Sequence, residues 1–311
     1  MKKILIVKPS SLGDVVHGMR VVRQIKIAFP KSEIHWVIKK GLEGILDTVG
    51  WVDKYFIFER GEGLFPYLKL ISEIRKFEYD YCLDLQGLMR SALITKFSNS
   101  KVKLGRSDGR EFSTLFYQST GSNSKNLQVH AIERLTPFLS ELGITKFDQS
   151  LPLDLKSNQK INSTIPAKSI ILFPESRRKE KIWPFFEELA AWLLKEPNIK
   201  VVIAGNQRDK GFVDCIDLRS DIQLADLPGV IGSSSLVVCN DSAPLHIASA
   251  LRKKLVALFG PTEPKMYGPY PVDHHNNMIV RSLTGRMDDI QISSVKRAIK
   301  CLLRDTTSKT E

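Results

Sequence analysis

An aspartate in the first turn of a helix that follows a short apolar strand is the first place where this sequence could do chemistry. The stretch PSSLGDVVHG, residues 9–18, follows KKILIVK and leads into VVHGMRVVRQIKIAF. Loops of that shape, strand then tight turn then helix, usually receive phosphate at the positive end of the helix. Here the helix carries Asp14, which would repel a phosphate, and the loop lacks the GxGxxG glycines that let a backbone wrap a pyrophosphate. Two roles fit. Ser11 and Asp14 suit the cap and first turn of a helix. A carboxylate there also suits a general base that takes the proton from a hydroxyl attacking in a group transfer.

Phosphate chemistry is expected in the second half. FPESRRKEKIWP places Ser176 and four cations, Arg177, Arg178, Lys179 and Lys181, after the apolar run SIILF. Such a cluster suits a diphosphate, although a charge run in a loop is equally a solvated surface. Lys181, nearest the helix opened by Trp183-Pro184, is the phosphate contact this reading selects. In SLVVCNDSAPLHIASAL an apolar strand ends at Asn240-Asp241, Ser242 caps, and Pro244 sits in the first turn. Amides at Ser242 and Ala243 would be open to a pyrophosphate. His246, one turn in, suits a phosphate or sugar oxygen, and Asp241 suits donor hydroxyls. ALFGPTEP turns at Gly260-Pro261-Thr262 and would wall the same pocket, while AGNQRD offers Asp209 to ribose hydroxyls. Together these loops predict one nucleotide site.

The elements that must position these residues alternate along the chain. KILIVK, EIHWVI, KYFIF and YDYCLDL read as strands, separated by a helix with Val15, Met19, Val22 and Phe29 on one face, by GLEGILDTVG, and by LFPYLKLISEIRKF. TGSNSKNLQ reads as a polar loop, AIERLTPFLSELG as a helix, and SLPLDLKSNQKINSTIPAK as a proline-bounded linker stretch. A second series runs SIILF, a helix within WPFFEELAAWLLKE, IKVVIAG, a helix near DKGFVDCI, the strand DIQL, SLVVC, a helix at PLHIASALR, and KLVALFG. The rhythm predicts an α/β chain of two Rossmann-like domains with a cleft between them, over 1–155 and 169–311, joined by a linker at 156–168. In open sheets of this kind ligands lie beyond the carboxyl ends of the strands, where the loops above fall.

At 311 residues, 42% apolar and 26% charged, the chain is too apolar for disorder and long enough for two cores. MKK is followed by only Ile4 to Val7 before Lys8, far short of a signal peptide's apolar region, so a cytoplasmic location is expected. Cys82, Cys215, Cys239 and Cys301 lie far apart with no CxxC pair, and read as reduced and structural. The net charge of +12 predicts an acidic partner, whether nucleic acid, an anionic membrane surface or an acidic small substrate. No nucleic-acid module or aromatic-basic stripe appears, and no glycine fingerprint supports a nicotinamide-dependent oxidoreductase. Neither nucleic acid nor a cofactor is expected.

The set SSLGD, DLQGLMRS, REFSTLFY, VHAIERL, KIWP, NDSAPLH and LFGPTEP resembles, in order and spacing across nearly the whole chain, the bacterial lipopolysaccharide heptosyltransferases, most closely heptosyltransferase I. That resemblance implies the GT-B fold and a metal-independent inverting glycosyltransferase. It would move heptose from ADP-heptose to a Kdo residue of the lipid A inner core, with an N-terminal acceptor domain and a C-terminal donor domain. It implies a peripheral enzyme of the inner membrane's cytoplasmic face. Residue by residue, the family's base falls on Asp14, its phosphate-binding lysine on Lys181, its ribose acid on Asp209, and its diphosphate loop on Asp241, Ser242, Ala243 and His246. On the acceptor side it points to Ser10, Ser11 and Gly13 of SSLGD, Gln86 and Arg90 of DLQGLMR, Arg110 of REF, His130 and Arg134 of VHAIER, and, more loosely, Arg60. Cations there suit the carboxylate of Kdo and the phosphates of lipid A. The family's Asp-Thr-Gly is Asp-Ser-Ala here, and the ribose acid is aspartate where glutamate is usual. Another nucleotide-sugar donor, or a later core heptose, is the alternative. The last helix is a candidate to pack back on the first domain.

Overall fold

In the computed structural model, which describes residues 1–59, 61, 63–120, 128–156, 165, 166, 168–206, 211–219 and 221–304, the chain divides into two compact units, Met1–Leu153 and Asp154–Glu311. The first holds strands β1 (Lys3–Val7), β2 (Glu33–Lys39), β3 (Lys54–Phe58), β4 (Tyr79–Asp84), β5 (Ser100–Arg106) and β6 (Gln118–Thr120). All pair in parallel, in the order β3-β2-β1-β4-β5-β6. The central strands read as continuous apolar runs because helices cover both faces of the sheet. Ile4, Leu5, Ile6 and Val7 are fully buried.

Helix α1 (Leu12–Ala28) returns from the carboxyl end of β1 and buries Val15, Val16, Met19, Val22 and Ile25 completely. Each such side chain contributes about 1.5–3 kcal/mol of apolar burial. Helices α2 (Gly44–Asp47), α3 (Leu64–Arg75), α4 (Met89–Phe97) and α5 (Pro137–Glu141) complete the unit. The single helix expected over AIERLTPFLSELG is instead a 3-10 turn, Glu133–Leu135, followed by α5. Pro137 has no N–H to continue the earlier turn and opens the next one.

The second unit repeats the plan. Strands β7 (Ser169–Phe173), β8 (Lys200–Ile203), β9 (Ile216–Asp217), β10 (Leu236–Asn240), β11 (Leu255–Phe259) and β12 (Asn277–Arg281) lie in the order β12-β11-β10-β7-β8-β9. Read from the other edge, that is the first unit's topology: strand order reverses beside β1 in one sheet and beside β7 in the other. Helices α6 (Phe186–Leu193), α7 (Leu227–Ser233), α8 (Ala243–Ala250), α9 (Pro264–Tyr267) and α10 (Ile292–Arg304) join them. Val295, Ala298, Ile299 and Leu302 of α10 belong to the core around β11 and β12.

Two further expectations fail between residues 211 and 224. DKGFVDCI is not helical in its described part, and Asp221–Leu224 is a turn; the short strand is Ile216–Asp217. Phe212, Cys215 and Ile216 carry a helical spacing, but Gly211 at φ +128 and Asp214 at φ +58 are outside helical backbone. Phe212 instead packs at the core's edge beneath the Arg219 guanidinium, 5.0 Å from its ring centre.

Candidate functional site

In sheets of this topology the loops on either side of the strand-order reversal form a crevice at the carboxyl edge. In the first unit these are residues 8–11 after β1 and 85–88 after β4. Ser11 holds the N-cap of α1 in extended backbone, and the Ser10-Ser11 peptide is cis. Asp14 accepts hydrogen bonds from Ser11 N at 3.0 Å and from Ser11 Oγ at 2.7 Å, half of a capping box. The capping role is therefore filled, and it fixes the carboxylate at the mouth of the sheet. Gly13 is buried beneath it.

Around Asp14 stands a group of charges that sequence reading passed over. Lys8 is 3% exposed; its backbone carbonyl accepts from Trp36 Nε1 at 3.1 Å. Burial, with Arg106 nearby, pushes its ammonium below the usual lysine range, against the opposing pull of Asp14, Asp84 and Asp108. Asp84, the fully buried last residue of β4, accepts from Gln86 N at 2.9 Å, Gly87 N at 3.0 Å and the Ser91 hydroxyl at 2.9 Å. Burial raises its carboxyl to about 6, and those hydrogen bonds and Lys8 restrain the rise. Arg106 grips Asp108 with Nε at 2.8 Å and Nη2 at 2.6 Å. Burial alone would raise the Asp108 carboxyl, but Arg106 and then Arg134 outweigh it and hold it low. The signal was present: Lys8, Asp84 and Arg106 each end or directly follow a strand, and Asp84 interrupts the apolar run YCLDL.

The other predicted acceptor-side residues lie on the same loops or beside them. Gln86 Oε1 accepts from Ser10 N at 3.4 Å, joining the two loops. Arg110 donates its amide to Gly87 O at 2.8 Å, and both Arg110 and Arg90 are exposed. Arg134 donates through Nε to Val129 O at 3.3 Å. His130 is buried; its Nδ1 accepts from Ile132 N at 3.2 Å and its ring meets His17 edge-on at 5.6 Å. Arg60 and Asp209 lie outside the described residues.

In the second unit the corresponding loops follow β7 and β10. The segment after β7 carries a 3-10 turn, Lys179–Lys181, and is fastened by Trp183, whose amide donates to Asn240 Oδ1 at 3.1 Å. The indole, 1% exposed, donates to Ile290 O at 2.9 Å. This anchoring turns Lys181 inward: Nζ lies 2.5 Å from Asp241 Oδ2, which also accepts from Thr262 Oγ1 at 2.6 Å. Arg177, Arg178 and Lys179 are exposed, and Arg178 pairs with Glu180, so most of the cation run is solvated surface. Ser176 is half-buried at the turn. Ser242 holds the N-cap position of α8 and donates its hydroxyl to Asn240 O at 3.3 Å; Ala243 opens the helix and His246 is half-buried one turn on. Gly260 is required by a close approach, since a β-carbon there would meet Met287 Sδ at 2.6 Å and Gly285 O at 3.0 Å.

A cavity of about 670 Å³ lined by Gln24, Ile27, Lys146, Phe147, Asp148 and Leu151 lies elsewhere. Gln24 is roughly 18 Å along α1 from Leu12, so this hollow is remote from Asp14.

Two parallel sheets of this order in one chain form the GT-B architecture. The structure of E. coli heptosyltransferase WaaC with ADP shows the same fold, with a TM-score of 0.81 at 23% identity over 96% of this chain and 99% of that one. Lipopolysaccharide heptosyltransferase 1 of Campylobacter coli is 26% identical over 294 residues, 84% of each chain. Lipooligosaccharide heptosyltransferase 2 of Haemophilus ducreyi is also 26% identical, over 98% of this chain and 96% of its own. The family model for glycosyltransferase family 9 (heptosyltransferase) matches residues 67–298. The chain belongs to that family.

Proposed function

We propose that this enzyme transfers heptose, with inversion, from ADP-heptose to a Kdo residue of the lipopolysaccharide inner core. The observation that carries the reading is the pairing of Lys181, Asp241 and Thr262 at the strand-order reversal of a family 9 chain, with Asp14 at the equivalent place in the other sheet. Asp14 takes the proton of the acceptor hydroxyl as its oxygen attacks the anomeric carbon on the face opposite ADP; the bond to the diphosphate breaks as the new one forms. The charge that grows on ADP is met by Lys181 and the amides at Ser242 and Ala243. An ammonium has three protons, and the bond to Asp241 uses one. Ser176, Arg177, His246, Gly260 and Thr262 line the donor site, and Asp209 takes the ribose. Arg90, Arg110 and Arg134, with Arg60 and His130, hold the acidic acceptor near Ser10, Ser11, Gly13 and Gln86. The enzyme needs no metal or cofactor and works in the cytoplasm, against the inner membrane.

In Asp14→Asn, turnover of ADP-heptose with Kdo-lipid A should fall by about 10²–10⁴-fold, while calorimetry with ADP gives unchanged affinity. Near wild-type turnover would overturn the base assignment. Relatives named heptosyltransferase 1 and heptosyltransferase 2 are equally similar at 26%, so addition of a later core heptose is the second reading. Kdo-lipid A and its heptosylated product, offered as rival acceptors, distinguish the two.

A further inference from the structure

Apart from Met1, the most exposed large apolar side chains among the described residues of the first unit are Phe65 (79%), Phe112 (77%), Leu115 (76%) and Leu64 (69%), joined by Leu68 at 53%. A core residue left in water at this level is ordinary when single; five in one region mark a surface that meets something. Three of them stand on the first turns of α3, which buries Leu70, Ile71 and Ile74 only in its later turns. The other two belong to the 3-10 turn after β5, entered through Glu111 and Phe112, both at φ +58 in left-handed backbone. That backbone is unfavourable for a bulky aromatic, and here it leaves the ring outward.

Hydrogen bonds bring the two segments to the same edge of the sheet. Tyr67 Oη donates to Arg90 O at 2.7 Å, Met89 N donates to Glu111 Oε2 at 3.2 Å, and Arg110 N donates to Gly87 O at 2.8 Å. The start of α4 thus links α3 to the turn. Exposed cations, Lys69, Arg90 and Arg110, lie among the apolar side chains, with Glu111 the acid between them. All of these segments follow the carboxyl ends of strands, the edge that also carries Asp14. Outward apolar side chains interleaved with cations match an anionic lipid surface, which takes the first between its acyl chains and the second at its phosphates.

We propose that Leu64, Phe65, Leu68, Phe112 and Leu115, with Lys69, Arg90 and Arg110, form the face by which this protein rests on an anionic bilayer. It deepens the proposed function, since it brings a lipid-anchored acceptor to the edge that bears Asp14. The occupant is the bilayer surface, not a protein.

The test is flotation of the purified full chain with vesicles of equal parts phosphatidylcholine and phosphatidylglycerol, and with phosphatidylcholine alone. Wild type should float with the anionic vesicles and far less with the neutral ones. F65S/F112S/L115S should partition about tenfold more weakly or worse. Its unfolding midpoint should be unchanged, because the three side chains are exposed. Its kcat/KM should be that of wild type on a water-soluble Kdo acceptor and lower on vesicle-borne acceptor. Flotation needs no donor, so it stands or falls separately from heptose transfer. Wild type that stays in solution, a triple variant that floats equally well, or self-association through this face without lipid binding would each overturn the proposal.

Discussion

At the scale of single residues, Asp84 shows how a buried charge can serve a site without touching substrate. Its Oδ1 holds the turn that presents Gln86 to Ser10 and its Oδ2 holds Ser91, so the loop beside Asp14 takes its form from a carboxylate fully buried in the sheet. Holding it has a pH signature. Burial raises the carboxyl from the ordinary 3.8 to about 6, so between those values the folded chain binds the proton that the unfolded chain has released. The stability tied to protonated Asp84 is complete below pH about 4 and is lost as pH rises through about 6, a change on the order of 3 kcal/mol. In Asp84→Asn that loss cannot occur. The difference in unfolding free energy between wild type and variant should therefore move in the variant's favour across this window, measured by urea denaturation on either side of it. A difference independent of pH would show that Asp84 titrates normally.

At the scale of elements, Trp183 does for the second unit what Asp84 does for the first. Its amide and indole bind Asn240 and Ile290, so the turn bearing Lys181 is fixed both to the end of β10 and to the segment before α10. Trp183→Phe keeps the ring volume in part but leaves Ile290 O without its donor, which should cost about 1–3 kcal/mol. Trp183→Ala removes a side chain that is 1% exposed and should cost about 3–5 kcal/mol in urea unfolding. In both variants ADP affinity should fall more than stability alone accounts for, because Lys181 loses its seat beside Asp241. The central strands around these sites were legible from sequence, since KILIV, SIILF, LVVCN and LVALF are buried on both faces and read as unbroken apolar runs. Two outer strands were not, although KYFIF, at the edge of the first sheet, was. SKVKLGR and NMIVR are only partly buried and carry charged or polar residues that read as loop. Residues 211–224 misled because apolar spacing signals a helix while left-handed backbone at Gly211 and Asp214, a tertiary choice, prevents one. Among the candidate site residues, Asp14, Lys181 and Asp241 were picked out because they lie in motifs. Lys8, Asp84 and Arg106 stand at strand ends too, but in no motif, and their burial and mutual pairing show only in the fold.

At the scale of the whole molecule, one strand order is used twice with opposite chemistry. The first sheet puts Lys8, Asp14 and Asp84 at its reversal, and the second puts Lys181, Asp241 and a capped helix there. In the proposed reaction phosphate binding falls wholly to the second unit, and the first carries a carboxylate at a helix start. The division is physical as well as chemical: the cluster from Ile170 to Leu302 is drawn only from the second unit, and that around Leu5, Val37 and Ile74 only from the first. Every described residue of the proposed donor site, from Ser176 to Thr262, falls within Asp154–Glu311. A unit with its own six-stranded sheet and its own core should fold when expressed alone. The segment from Asp154 onward is thus expected to unfold cooperatively and to bind ADP with a dissociation constant within about tenfold of the full chain, a difference of about 1.4 kcal/mol. Calorimetry on the isolated segment decides it. A folded segment that binds no ADP would mean that the first unit supplies part of the nucleotide site, and the assignment of donor binding to Lys181, Asp241 and the Ser242 cap would have to be withdrawn.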